Sequence, residues 1–206
     1  MKEKKMLLIS ISFLILINIF ALVRFYRFKR QCMAHIINNS NQVSNEVDDE
    51  IRSYKINFVT NILNSNSKLE NIMIKDSLNN LMPITDVFEE GQKCILVCRF
   101  SEFYCESCVS FSLQMILGHI ESIGVKNVLF LGNHRNNKIF NQTKPLYRID
   151  DKKTYNTPFF NIPVEEIGHP YFFVLDSNLQ ISNVFIPNKT LPNISNEYLE
   201  NIKSIF

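Results

Sequence analysis

Between Lys93 and Leu131 the chain reads strand, helix, strand, and this run constrains the fold more than any other. Lys93–Phe100 (KCILVCRF) is a nearly continuous apolar run of strand length. That pattern fits a strand covered on both faces. After the loop Ser101–Tyr104, the segment Cys105–Ile123 carries Val109, Leu113, Ile116, Leu117 and Ile120 at helical spacing. Gly124 closes the helix. Asn127–Leu131 (NVLFL) is the next strand. Two strands joined by a helix of this length make a right-handed βαβ unit with parallel strands.

The flanking sequence extends this unit. Asn71–Lys75 reads as a short strand, Asp76–Asn80 as a turn and Pro83–Glu89 as a short helix. Gly132–Gly168 is less regular. Tyr171–Leu175 and Leu179–Ile186 are strands across the short turn Asp176–Asn178, which makes an antiparallel hairpin. Ser195–Phe206 reads as a closing helix, with Ser195 as its cap and Glu197 in its first turn. The expected fold is α/β, a mixed sheet flanked by helices, over residues 68–206, a normal single-domain length.

Upstream, Met6–Val23 (MLLISISFLILINIFALV) is 18 residues without a charge. At 1.5 Å per residue it reaches about 27 Å, close to a bilayer's hydrocarbon core. A buried core helix and a cleaved signal peptide are the competing readings. Lys2, Lys4 and Lys5 would be the basic start of such a peptide. However, the run is long for one, and no small-residue cleavage site follows it. Instead come Arg24, Phe25, Tyr26, Arg27, Phe28, Lys29 and Arg30, the mixture of rings and cations that settles at a membrane interface. The expectation is an uncleaved transmembrane anchor, residues 1–30 with its flanks. Both flanks are basic, so charge does not orient it.

Residues 31–67 form the link. Val43, Val47, Ile51, Tyr54, Phe58 and Ile62 recur at intervals of three and four, one face of a helix. The expectation is a stalk helix that packs this stripe on the domain. A dimerising coiled coil would be short, at fewer than three heptads. Asn64–Ser67 ends the helix as a linker.

Composition excludes several classes. Lys+Arg number 22 and Asp+Glu 20, a net charge of +2, which argues against a nucleic-acid coat. With 46% hydrophobic and 20% charged residues the chain is not a disordered one. Five Cys in 206 residues are too sparse for a disulfide-scaffold miniprotein.

Two of those cysteines carry the chemistry. Tyr104-Cys105-Glu106-Ser107-Cys108 places a C-x-x-C after a buried strand and at a helix start. Free backbone N–H groups and the positive dipole end there stabilise a thiolate, the reactive form. Cys105, at the exposed end, would attack a substrate disulfide. Cys108, one turn in, would resolve the mixed disulfide. Glu106 between them would raise a neighbouring thiol pKa and make the couple more reducing. Zinc is the competing reading, with Cys94 and Cys98 completing four ligands. Those two lie inside an apolar strand, so no metal site is expected. Cys32 has no assigned role, and four N-x-S/T sequons, including Asn188-Lys189-Thr190, fit chance in an Asn-rich chain.

The stretch KCILVCRFSEFYCESC resembles the strand, loop and W-C-x-x-C site of the thioredoxin superfamily. The layout is most similar to its membrane-anchored, extracytoplasmic thiol-disulfide oxidoreductases of the TlpA and ResA type. IMIKDSLNNLMPITDVF resembles their opening strand and turn, and Gly168-His169-Pro170-Tyr171-Phe172-Phe173-Val174-Leu175-Asp176 their T-P-x-x-x-x-I-D segment. The resemblance covers about residues 69–206 and implies a cis Pro170 facing the cysteines and shaping a substrate groove. His169 before it would stabilise the thiolate or shuttle protons. Tyr104 replaces the family's Trp, and Ser107 a common Pro. Arg99, six residues before Cys105, stands where thioredoxins bury an acid that moves the resolving thiol's proton. It either faces solvent or binds an acid.

The implied activity is reduction of protein disulfides outside the cytoplasm of a bacterial inner membrane, without an organic cofactor. The implied partners are disulfide-bearing proteins and a transmembrane electron donor, with no nucleic acid. The alternative is a membrane-tethered binding or sensor protein that uses the fold without redox turnover.

Overall fold

The computed structural model describes residues 46–64 and 67–206, together with Arg24, Phe25 and Lys29. Among the described residues no helix is long and apolar enough to cross a membrane. The expected anchor at Met6–Val23 lies outside them. The chain divides into two compact units, Met1–Arg52 and Ser53–Phe206. The domain boundary expected at Lys68 therefore falls inside the second unit.

One seven-stranded sheet organises that unit, in the order β2-β1-β5-β4-β3-β6-β7. The strands are β1 (Met73–Lys75), β2 (Leu81–Pro83), β3 (Cys94–Ser101), β4 (Val128–Asn133), β5 (Thr154–Asn156), β6 (Tyr171–Asp176) and β7 (Ile181–Phe185). β3 is central. It runs parallel to β4 in the register Leu96 to Val128 and antiparallel to β6 in the register Arg99 to Tyr171. The βαβ unit and the hairpin are both present as read.

β3 is apolar over Cys94–Cys98 because both of its faces are covered. Ile95 and Val97 enter one core with Tyr171, Phe173 and Phe160. Leu96, Cys98 and Phe100 enter the other, with Val109, Leu113 and Ile116 of helix α2 (Glu106–Ile123). The expected turn of α2 at Gly124 is real. Gly124 has φ 94°, a conformation that costs glycine little, and its N–H bonds Ile120 O.

Several elements differ from expectation, among them β2, which is not among the expected strands, and the expected helix Pro83–Glu89, which is a 3-10 turn over Ile84–Val87. The less regular stretch contains helix α3 (Asn137–Leu146) and β5. α3 escapes periodicity because of its apolar side chains only Phe140 is buried, and Pro145 stands near its end. Its start is fixed instead by Asn136, whose side chain accepts from Ile139 N. Helix α4 spans Pro192–Ile202, so Pro192 begins it and Ser195 does not cap it. Ser195 is buried inside, and its Oγ accepts from Asn188 N at 3.3 Å.

Within the expected link a helix, α1, spans Glu46–Asn64, but the expected apolar stripe is not the face that packs. Ile51, Tyr54, Phe58 and Ile62 are 46–66% exposed. Val43 lies outside the described residues. The packed face carries the buried polar residues Ser53, Thr60 and Asn64, with Ile56 against the core beside them. The cause is the unpaired edge of β7. Asn57 accepts from Ile186 N at 2.6 Å and donates to Ile186 O at 3.3 Å. Asn61 accepts from Val184 N at 3.1 Å. The asparagine amides thus stand where a further strand's backbone would stand, and a hydrophobic stripe cannot do that.

Candidate active site

Sheet topology brings three loops to one end of the molecule. β3 ends at Ser101 and leads into the C-x-x-C segment. β6 is antiparallel to it, so Pro170, just before β6, sits beside that end. β7 is antiparallel to β6 in turn, so the segment after Phe185 returns to the same place. The carboxyl ends of parallel strands are where open α/β sheets hold their sites.

Cys105 is the N-cap residue of α2. Its carbonyl accepts from Cys108 N and Val109 N, both at 3.0 Å. Its side chain is exposed, whereas Cys108 is half-buried, and both are free thiols. Their environments separate them. A hydrogen bond from Cys108, then one from Ser107, lower the Cys105 pKa to about 7, with the Lys189 charge adding to this. Burial, followed by the neighbouring Cys105, raises that of Cys108. The arrangement supplies one thiolate at neutral pH and holds a second thiol protonated beside it.

Glu106 is not among the groups that shift Cys105. It is exposed, and Cys105 moves down rather than up. The Glu106 carboxylate bears on Tyr147, whose pKa is raised by burial first and by Glu106 second. The resemblance implies a cis Pro170, yet no cis peptide occurs among the described residues. The His169–Pro170 bond is trans, the isomer favoured for X–Pro by about 0.5–1 kcal/mol. Pro170 is buried and His169 exposed. The His169 pKa is lowered, first by desolvation and then by Lys189.

Arg99 neither faces solvent nor leaves the site without an acid. It is fully buried, and Nε donates to Glu165 Oε1 at 3.0 Å and Oε2 at 3.1 Å. Nη2 also pairs with Glu165 and donates to Pro158 O at 2.9 Å, and Nη1 donates to Thr157 Oγ1. Tyr171 donates its hydroxyl to the same carboxylate. The Arg99 guanidinium lies 4.0 Å from the centre of the Phe160 ring. Tyr104 connects this cluster to the cysteines, its hydroxyl reaching Glu165 O at 3.5 Å. Glu165 closes a 3-10 turn, Pro163–Ile167, that ends at Gly168 and leads into His169. The ion pair therefore anchors the His169–Pro170 loop to β3.

Glu165 and Lys189 escaped the sequence reading. Lys189 was legible only as part of a sequon. The hairpin supplied a usable signal, since a chain leaving β7 must return to the end from which β6 began.

Cys94 and Cys98 lie on β3 rather than at the site. Burial pushes both thiols up. Among the described residues no group of three or more His, Cys, Asp or Glu is placed to hold a metal ion.

No family model and no curated protein matches the chain. Solved structures do resemble it. A thiol:disulfide interchange protein from Bacteroides sp. is 14% identical, covering 67% of this chain and 91% of that one, with a TM-score of 0.44. The thioredoxin domain of a thiol-disulfide oxidoreductase from Bacteroides vulgatus is 14% identical, covering 66% and 97%, with a TM-score of 0.46. A peroxidoxin from Mycobacterium tuberculosis is 8% identical, covering 70% and 99%, with a TM-score of 0.49. By its own strand order the chain has an α/β fold, a mixed sheet flanked by helices, with a C-x-x-C at the start of the helix that crosses from β3 to β4.

Proposed function

We propose that the chain is a thiol-disulfide oxidoreductase that reduces protein disulfides through Cys105 and Cys108. One observation carries this reading: an exposed cysteine with a lowered thiol pKa at a helix start, next to a half-buried cysteine with a raised one. The Cys105 thiolate attacks one sulfur of a substrate disulfide. A mixed disulfide forms and one substrate thiolate leaves. Cys108 then gives up its proton and attacks Cys105 Sγ, which forms the intramolecular disulfide and frees the second substrate thiol. Two electrons pass to the substrate, and a dithiol donor must return two to the enzyme. A thiol pKa near 7 matches a weakly stabilised thiolate, far from the value of about 3.5 found in the strongest oxidants. That supports the reading of the pair as a reductant.

The finer reading adds Met6–Val23 as a membrane anchor and an extracytoplasmic domain, with a transmembrane electron donor and disulfide-bearing proteins as partners. His169, Pro170 and Tyr104 then border the substrate. Trapping tests the chemistry. Full-length Cys108→Ser should accumulate mixed disulfides with partner proteins, and Cys105→Ser should accumulate none. Equal behaviour of the two variants would sink the redox reading. A reporter fused after Phe206 tests orientation, since activity confined to the cytoplasm would reverse it.

A further inference from the structure

Among the described residues outside the C-x-x-C segment, Lys189 is a cation whose charge bears on Cys105. Lys189 follows β7 in the loop that returns to the active-site end. Its Nζ donates to Ser107 Oγ at 2.8 Å. Ser107 Oγ lies 3.2 Å from Cys105 Sγ. The loop that carries Lys189 is built, not slack. Asn188 Oδ1 accepts from Thr190 N at 3.0 Å and Thr190 Oγ1 at 2.7 Å, and Asn188 N donates to Ser195 Oγ inside α4.

A serine hydroxyl has one proton and two acceptor lone pairs. An ammonium has only donors, so Lys189 must occupy an acceptor position on Ser107. The Ser107 proton is then free to point at sulfur. We propose that Lys189 is a positioning residue for Cys105: by donating to Ser107 Oγ it turns the Ser107 hydroxyl proton onto the Cys105 thiolate. This rests on the reading of Cys105 as the attacking thiol. It adds a residue 84 positions downstream of Cys105 to the machinery and gives Ser107, in place of the family's common proline, a chemical task. Among the described residues, the groups that bear on Cys105 are Cys108 and Ser107 from its own helix and Lys189 from the β7–α4 loop. The Lys189 charge also bears on His169, on the loop before β6. Glu106 faces Tyr147. Charge alone is a weaker account, because an exposed ammonium is screened by salt and a relayed hydrogen bond is not.

The test is site-resolved alkylation of Cys105 by iodoacetamide across pH, in the full reduced chain, for wild type, Lys189→Met, Lys189→Arg, Ser107→Ala and the double variant Ser107→Ala/Lys189→Met. The midpoint should rise in Lys189→Met and in Ser107→Ala, cutting the thiolate fraction at pH 7 by about three- to tenfold, where one pKa unit is tenfold. Lys189→Arg should restore most of it, since a guanidinium also donates. The double variant should match Ser107→Ala alone. An unmoved midpoint in Lys189→Met overturns the proposal, and so does additivity in the double variant, which would make Lys189 an independent charge. The dithiol–disulfide equilibrium of wild type, measured in a glutathione buffer, is a separate readout. A reversible couple with an unmoved Lys189→Met midpoint defeats the positioning role alone. The lack of any couple defeats the redox reading, whatever the midpoints do.

Discussion

Arg99 and Glu165, 66 residues apart in sequence, form an ion pair with both side chains sealed from solvent. One sits on the central strand, six residues before Cys105. The other sits in the turn that leads to His169 and Pro170. A charged pair of this kind is not in itself a source of large net stability, because desolvation offsets most of the attraction. Its asymmetry is what matters. Arg99→Met would leave the Glu165 carboxylate buried with only the Tyr171 hydroxyl, and is expected to cost about 3–5 kcal/mol. The double variant Arg99→Met/Glu165→Met should cost less than Arg99→Met, since no lone charge remains. Urea unfolding of wild type, Arg99→Met, Glu165→Met and the double variant measures this. A double variant that is the sum of its parts would show the two residues acting separately.

The thiol chemistry has a definite pH signature. Alkylation of Cys105 should rise with a midpoint near pH 7, while Cys108, pushed upward, should lag behind it. The linkage follows in the reduced protein. The Cys105 pKa is lowered from 9.0, its unfolded value, to about 7 when folded. Its contribution to stability is therefore complete above pH 9, and it falls away as pH drops through 7. Cys105→Ser should flatten stability across pH 7 to 9 relative to wild type. A wild-type profile already flat over that window would contradict the lowered pKa.

The glycines of the two core elements should respond oppositely to alanine. Gly118 lies within α2, and an added Cβ there meets nothing within 4 Å. Alanine should stabilise by about 0.5–1 kcal/mol, because glycine loses more freedom in a helix. Gly132 lies in β4, where the added Cβ runs into the Phe140 ring and comes to 3.1 Å from Phe100 Cζ. Both rings are fully buried and cannot swing away. Gly132→Ala should therefore cost about 1–3 kcal/mol by overpacking. Denaturation midpoints that move in the same direction for both would refute this account of the core.

What could be read from the sequence was what one element carries alone. The continuous run of β3, the spacing of Val109, Leu113 and Ile116, and the position of Cys105 at a helix start each need no partner to be seen. The features that escaped are relations between distant residues. Glu165 gains meaning only when strand pairing sets Tyr171 opposite Arg99. Lys189 gains it only when the hairpin returns to the active-site end. α3 escaped because its anchor is one Phe140 among polar residues. The face of α1 was inverted because amide side chains were competing for backbone groups, a pull that hydrophobic periodicity does not register.

That inversion makes the last prediction. If Asn57 and Asn61 satisfy the open edge of β7, removing their amides strands Ile186 N, Ile186 O and Val184 N beneath a helix. Each lost bond that leaves a shielded backbone group unpaired costs about 1–3 kcal/mol. Asn57→Ala, which removes the partners of Ile186 N and Ile186 O, and Asn61→Ala, which removes that of Val184 N, should therefore both destabilise. Phe58→Ser is the control. This ring is 66% exposed on the opposite face, so its loss should change stability by no more than about 0.5 kcal/mol. A helix packed through its apolar stripe demands the reverse order, with Phe58→Ser the most damaging and the asparagines nearly neutral. Urea midpoints of the three variants in the full chain decide between the two faces. Amide exchange at Val184 and Ile186 gives a second readout, because only loss of the asparagine bonds should speed exchange at those two positions first.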